Sequence, residues 1–347
     1  MKAFVLAAGV GTRLRPLTSN IPKPMIPILD KPALYYTFSN LWKYGFTDAC
    51  VNTYYMSDVI TDYFGKNKTD IRLEFSKERT LLGTAGAIKK KEAFFDATFV
   101  VMSGDGLSDV DLKKVLAFHK KKKSLATIVL KKVLSRFEYG IAVTNKSGEI
   151  KKFVEKPSWS DVFNDEVNTG IYVFEPEIFN YIPKDTFFDF SMDLFPLLMK
   201  KGKKIFGYLM DEYWTDIGNI FEYKKGVFDA LDGKLKLDLS LINCNGKYIS
   251  KTAKIDKSVK INGPCFIGDN VTIERESVIK PYSVISGNVK IGKNTVIERT
   301  IIWENSIIGA SADITNSVIS SNASIPAGIS LFDSIMMESL RKKGKKG

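Results

Sequence analysis

The sequence predicts an α/β domain built on a mixed, mostly parallel sheet, followed by a left-handed parallel β-helix. Three observations carry that prediction. Up to about residue 232, apolar runs alternate with helix-like stretches, the pattern of layered α/β domains. The first apolar run leads directly into a glycine-rich turn, "LAAGVGTRLRPLT" (6–18), at the strand end where such sheets hold their ligands. From residue 249 the period changes, and isoleucine returns at 249, 255, 261, 267, 273, 279, 285, 291 and 297, nine times without a miss.

In chain order, "KAFVLAA", "DACVNTYY", "IRLEFS", "ATFVVMSGD", "LATIVLKK", "EIKKFVE" and "GIYVFE" read as strands. "PALYYTFSNLWKYG" and "LSDVDLKKVLAFHKKKK" carry apolar residues at helical spacing. The segment 233–247 reads as a linker. The hexads then occupy 248–332, and small or β-branched residues often follow each isoleucine by four positions, as in "IDKSVK" and "IGKNTV". Three hexads complete one coil with every isoleucine stacked inward, and about fourteen hexads predict four to five coils. The frame slips by one residue around "IIWENS" and again before Ile319; each slip is expected to mark a loop or a shifted coil. The tail, 333–347, ends in "RKKGKKG" and is expected to be solvated.

Composition narrows the function. The net charge of +12 comes from 51 basic residues, eight of them arginine, scattered rather than interleaved with aromatics. That argues against nucleic acid and for a lysine-rich surface whose field favours small polyanions. No apolar run approaches the roughly 18 residues of a membrane span, and Cys50, Cys244 and Cys265 lack metal spacing and cannot all pair. A cytoplasmic protein without a membrane partner is expected. The single histidine, His119, precedes the repeats. A repeat domain lacking the usual general base is expected to be structural and to promote homo-oligomers. His119 itself is expected on a helix flank.

The glycine turn fits neither common nucleotide fingerprint. Leu14 stands where a dinucleotide loop has its third glycine, and no Gly-Lys-Ser/Thr follows. Gly9 and Gly11 still allow backbone N–H groups to close on an anion. Arg13 adds a bidentate donor, and Lys23 stands among three prolines in "NIPKPMIPI". The loop reads as a triphosphate holder, although a glycine–arginine surface turn fits the same residues. For Arg15, ligand contact and a surface role remain equally open.

"LAAGVGTRLRPLT…IPKPMIPI" closely resembles the signature of nucleotidyl transferases that act on sugar 1-phosphates. The resemblance continues through "LLGTAGAI", "SGD", "YGIAV", "FVEKP", "NTGIYVF" and "YWTDIG", in the family's order and over essentially the whole chain. It implies a Rossmann-like nucleotidyltransferase domain over 1–232 and, in many members, a β-helix after it. "LGTAGA" and "FDFSMDLFPLLMKKGKKIFGY" are most similar to the members that join GTP to mannose 1-phosphate. Those for glucose 1-phosphate, using UTP or dTTP, share much of the pattern, and some relatives are regulatory subunits that bind nucleotide sugars without making them.

By this resemblance Leu6, Ala8, Gly9, Gly11, Thr12 and Arg13 would hold the nucleotide, with Arg13 on the leaving pyrophosphate. Gly83, Thr84 and Gly86 would approach base and ribose. Lys23 would neutralise oxygens near the reacting phosphates. Asp105 and Asp216 would be the Mg²⁺ ligands, which suits a hard cation that prefers carboxylate oxygen. Gly140, Glu155 and Asn168 would line the sugar pocket, and Lys156 would meet the sugar phosphate. The implied catalytic set is Arg13, Lys23 and Lys156. For Asp105, a turn-forming aspartate between two glycines is the plain alternative.

Overall fold

The computed structural model describes residues 1–133, 139–154, 165–237 and 242–338. The chain forms two compact units. The first comprises 1–12, 21–25 and 33–218, and the second 13–20, 26–32 and 219–347. The helix after Asn219, grouped with the first domain on sequence, thus packs in the second unit.

The first unit is an α/β sheet. Its strands are β1 Lys2–Leu6, β2 Asp48–Thr53, β3 Arg72–Lys77, β4 Phe99–Ser103, β5 Gly106–Ser108, β6 Ala126–Lys132, β7 Ile141–Thr144, β8 Ile150–Val154, β9 Glu166–Phe174, β10 Ile205–Leu209 and β11 Trp214–Asp216. All but β5 and β11 form one sheet with the path β8-β7-β9-β4-β1-β2-β3, and β6 joins β9 to β10. The sheet is mixed. β1, β2, β3 and β4 run parallel, whereas β9 is antiparallel to β4, β6 and β7. Alternate residues of β1 serve opposite cores: Ala3 and Val5 pack on one side, Phe4 on the other. Burial on both faces explains why this strand reads as an unbroken apolar run.

The helices are α1 Ala33–Lys43, α2 Ser57–Lys66, α3 Gly83–Lys89, α4 Leu112–Lys122, α5 Phe195–Lys200 and α6 Ile220–Leu231. Asp111 caps α4, its side chain accepting from the Lys114 N–H, and Asn219 caps α6 through the Glu222 N–H. His119 lies on α4, as expected, with its side chain buried. Its ring meets Thr127 Oγ1 at 2.8 Å and Glu175 Oε1 at 3.1 Å. Burial holds the imidazole below its ordinary range despite the Glu175 carboxylate. The thiols of Cys50 and Cys265 are free and buried, and burial pushes Cys50 up to about 12, which keeps it protonated and unreactive.

The second unit contains the parallel β-helix, five full coils with three sheets. One column stacks Ile249, Ile267, Ile285, Ile302, Ile319 and Met336 in register. A second stacks Ile255, Ile273, Ile291, Ile308 and Ile325. The third runs Ile261, Ile279, Ile297, Ile314 and Leu331. A strand at Ile242–Cys244 pairs antiparallel with Lys247–Ile249 and covers the first edge of the stack. Of the two expectations for the frame slips, the structure shows the shifted coil and not the loop. Five residues instead of six separate Ile297 from Ile302, Ile314 from Ile319, and Leu331 from Met336, so one residue is lost from the same corner in three successive coils. Corner residues take the left-handed conformation, many of them asparagine, including Asn270, Asn288, Asn305 and Asn322, a residue that tolerates it.

Trp303, beside the first slip, is buried. Its Nε1–H donates to the Tyr223 hydroxyl of α6 at 2.8 Å, and that hydroxyl donates to the Pro27 carbonyl at 2.9 Å. Ser286 Oγ donates to the Leu29 carbonyl at 3.1 Å. The stretch 26–32 is thereby tied to the coils.

A histidine kept neutral by folding contributes stability that is full above its unfolded pKa and lost as pH falls through the folded one. The unfolding free energy is therefore expected to decline as pH drops below 6.5, and His119→Gln to flatten that limb down to about pH 5. Chemical denaturation at stepped pH measures both slopes.

Candidate active site

The site lies at the carboxyl ends of β1 and β4, built on three separate segments of the first unit. β1 opens into residues 7–11, where Gly11 has φ +67° and Gly9 is exposed. The Leu6 carbonyl accepts from the Gly104 N–H at 2.9 Å, which holds the two strand ends together. Ala8 is buried and Thr12 exposed. Arg13 follows in a one-turn helix, Thr12–Leu14. It is exposed and belongs to the stretch 13–20 of the second unit.

β4 delivers Ser103 and Asp105. The chain then turns into β5, which pairs antiparallel with β11 so that Asp216 lies opposite Gly106. This short ribbon brings together two aspartates that stand 111 residues apart in the chain. Lys23 enters from the turn Lys23–Met25, which Pro22 closes by accepting from the Met25 N–H at 2.8 Å.

The three charged groups form one cluster. Lys23 Nζ lies 2.7 Å from Asp105 Oδ2 and 2.8 Å from Asp216 Oδ1, with its side chain 8% exposed. Ser103 Oγ donates a short hydrogen bond to Asp105 Oδ1. Burial alone would raise the Asp105 carboxyl, but the Lys23 charge, the Lys23 hydrogen bond and Ser103 outweigh it and hold the group below its ordinary value. Burial alone would likewise lower Lys23, and the two carboxylates hold it above. The cluster carries one net negative charge and has carboxylate oxygens converging on a cation. Among the described residues no group of three or more His, Cys, Asp or Glu side chains could hold a metal. Two convergent carboxylates fit a magnesium ion, which commonly takes one or two carboxylates and completes its shell with water and substrate oxygens.

Asn168 sits where the β9–β6 register breaks, between Asn168 and Tyr172, and such irregularities often re-aim side chains beside active sites. Its Oδ1 accepts from the Gly170 N–H at 3.0 Å, and its Nδ2 donates to the Tyr172 hydroxyl at 2.9 Å. Its backbone N–H donates to the Gly140 carbonyl at 2.7 Å. β8 ends at Val154, and Glu155 and Lys156 lie outside the described residues.

Gly83 and Gly86 are explained by close packing. A Cβ on Gly83 would come 2.6 Å from the Phe188 carbonyl oxygen, and one on Gly86 2.6 Å from that of Thr186. The Thr84 hydroxyl donates to Asp189 Oδ2 and accepts from the Phe190 N–H. Sequence reasoning missed a buried tie behind these loops. Asn52 accepts from the Ala7 N–H and donates to Glu78 Oε1, and Glu78 Oε2 accepts from the Leu82 N–H. It links the turn after β1 to the start of α3. "KERT" around Glu78 reads as surface charge, so no local signal marked it.

The nucleotidyl transferase family model matches residues 2–232, and a model described as GMPPB C-terminal domain matches residues 261–339. The chain belongs to the nucleotidyl transferase family. It is a nucleotidyltransferase. It is 36% identical to a UTP–glucose-1-phosphate uridylyltransferase of Synechocystis sp., covering 92% of this chain and 87% of that one. It is 31% identical to a mannose-1-phosphate guanyltransferase of Aspergillus oryzae, covering 91% and 90%. Among solved structures, HddC from Yersinia pseudotuberculosis superimposes with a TM-score of 0.58 at 29% identity, over 65% of this chain and 97% of that one.

Removing the ammonium leaves two facing carboxylates without a counter-charge. Lys23→Met is expected to lower the unfolding free energy by about 3 kcal/mol. Adding Asp105→Asn is expected to return part of that loss, because the like-charge pair is gone. Urea unfolding of both variants checks this; equal stability of the two would remove Lys23 as the compensating charge.

Proposed function

We propose that the chain transfers a nucleoside monophosphate from a nucleoside triphosphate to a sugar 1-phosphate, with GTP and mannose 1-phosphate as its substrates and Mg²⁺ as its cofactor. The observation that carries this reading is the seating of Lys23 between Asp105 and Asp216. A phosphate oxygen of the sugar 1-phosphate forms a bond to the α-phosphorus. The bond from that phosphorus to the bridging oxygen breaks, and pyrophosphate leaves with the electron pair. The nucleophile is already an anion, so no proton acceptor is required, and the sole histidine is committed to the core. The work left to the protein is alignment and charge neutralisation.

Magnesium, held by Asp105 and Asp216, would supply positive charge to the triphosphate oxygens when bound. Lys23 stands beside the same point and neutralises phosphate charge. Gly9, Gly11 and Thr12 offer main-chain donors to the triphosphate, and Arg13 offers a bidentate donor to the departing pyrophosphate. Asn168, its amide fixed by Gly170 and Tyr172, presents a pre-set edge to the sugar. Gly140 joins it there, and Glu155 and Lys156 complete the sugar-phosphate side by family resemblance. GTP and mannose are favoured by the match of the second domain and by the guanyltransferase relatives. HddC from Yersinia pseudotuberculosis has been solved in complex with GMP-PN. A second reading, UTP with glucose 1-phosphate, is favoured by the 36% identical uridylyltransferase. We further propose a cytoplasmic enzyme that self-associates through its β-helix. Among the described residues no helix is long and apolar enough to cross a membrane.

Pyrophosphate release from GTP, UTP, dTTP, ATP and CTP, each with mannose, glucose and N-acetylglucosamine 1-phosphate, tests the substrates. GTP with mannose 1-phosphate is expected to give the highest kcat/KM. A maximum with UTP and glucose 1-phosphate selects the second reading, and no release from any pair would make the chain a nucleotide-sugar-binding subunit.

Asp105→Asn is expected to lose most turnover at ordinary Mg²⁺ with the fold intact. Arg13→Ala is expected to lose about 10²-fold in kcat if it stabilises the transition state. Steady-state kinetics over a Mg²⁺ series check both, and near-normal turnover of the asparagine variant would remove Asp105 from the metal role.

A further inference from the structure

A cavity of about 930 Å³ in the second unit lies between α6 and the shortened corner of the β-helix. Phe221 of α6 and Phe332 of the last coil line it. At 73% and 75% exposure they are the most exposed large apolar side chains among the described residues. Two such rings on one recess mark a contact surface rather than scattered surface apolarity.

The charges around the rings have both signs. Arg299 lies in the left-handed conformation, φ +47°, with its guanidinium 5.3 Å from the Phe228 ring centroid and 5.1 Å from that of Tyr282. The rings flank the guanidinium, and no carboxylate among the described residues pairs with it. Asp333, its side chain 65% exposed, is 3.5 Å from Lys224 through Oδ1. The same oxygen accepts from Asn316 Nδ2 at 2.9 Å. The other carboxylates of the recess, Asp229 and Asp232, are each paired with Lys234. A polyanion would meet these acids, whereas a surface carrying both signs can complement itself.

The corner positions supply the geometry. Residues 299, 316 and 333 follow Glu298, Thr315 and Phe332, which stack in register on consecutive coils. Coils lie about 4.8 Å apart, so Arg299 and Asp333 flank the Asn316 level symmetrically. A two-fold axis through that level, perpendicular to the column, carries the level of Arg299 onto that of Asp333 in a second copy. We propose that this face joins two copies of the chain about such an axis, each Arg299 pairing with Asp333 of the other and Phe221 and Phe332 covered between them. The inference rests on the reading that the chain self-associates and names the face that does it. An isologous contact of this kind uses every pair twice, and a planar guanidinium suits a bidentate carboxylate partner.

Sedimentation equilibrium over a concentration series tests it on the full chain. Wild type is expected to be a dimer or a larger even assembly. Arg299→Asp and Asp333→Arg should each weaken association by about tenfold or more, since each breaks both pairs and sets like charges together. The double swap should restore it. Phe221→Asp, at a side chain exposed in the single chain, should dissociate the assembly while the circular-dichroism spectrum of the folded chain stays unchanged. A wild-type monomer at high micromolar concentration would overturn both the self-association reading and this face. An assembly indifferent to all four variants would leave self-association standing and overturn the face alone.

Discussion

One ammonium group organises the catalytic unit. Lys23 draws Asp105 and Asp216 to within 2.8 Å of a single point, and each of the three arrives on a different stretch of chain. Lys23 comes from a proline-stiffened turn, Asp105 from the end of a central strand, and Asp216 from a ribbon that doubles back beside it. Two carboxylates facing each other in a partly buried place repel and would take up protons without a cation between them. With the cation they stay ionised and oriented. The same arrangement that stabilises the fold therefore preserves a net negative charge at the carboxyl ends of β1 and β4.

The rest of the first unit serves that cluster. Parallel strands buried on both faces fix the ends of β1 and β4 side by side, and the Leu6–Gly104 hydrogen bond locks them there. Behind the loops, Asn52 and Glu78 satisfy backbone donors that would otherwise be stranded. The Gly83 and Gly86 positions let the 186–188 segment close over α3. Such supporting contacts give the site its rigidity, since a catalytic group misplaced by an ångström loses much of its effect.

The second unit obeys a different rule. Its isoleucines contact the same residue type one coil above and below, so a one-dimensional repeat becomes a continuous apolar column. Shortening one corner in three successive coils preserves that column while changing only the outline of one edge. On that edge α6 seats, with Tyr223 and Trp303 sharing a buried hydrogen bond.

The sequence on its own determined the two architectures, because each leaves a periodic trace: alternating strand and helix patterns in one, an isoleucine every sixth residue in the other. It also marked Gly9, Gly11, Lys23, Asp105 and Asp216, since their motifs stand in a recognisable order. It left open whether each frame slip marked a loop or a shifted coil, and it put His119 on a helix without saying that the ring is buried, because periodicity does not say whether a missing residue is absorbed by a corner or bulges out. Convergence was beyond its reach. Nothing local in "SGD" or "WTDIG" states that they meet; the antiparallel pairing of β5 with β11 decides that. Asn52 and Glu78 left no signal because a polar side chain looks the same in sequence whether it faces water or ties two loops. Tertiary structure decides such cases, since burial and partnership are properties of the space around a residue and not of its neighbours in the chain.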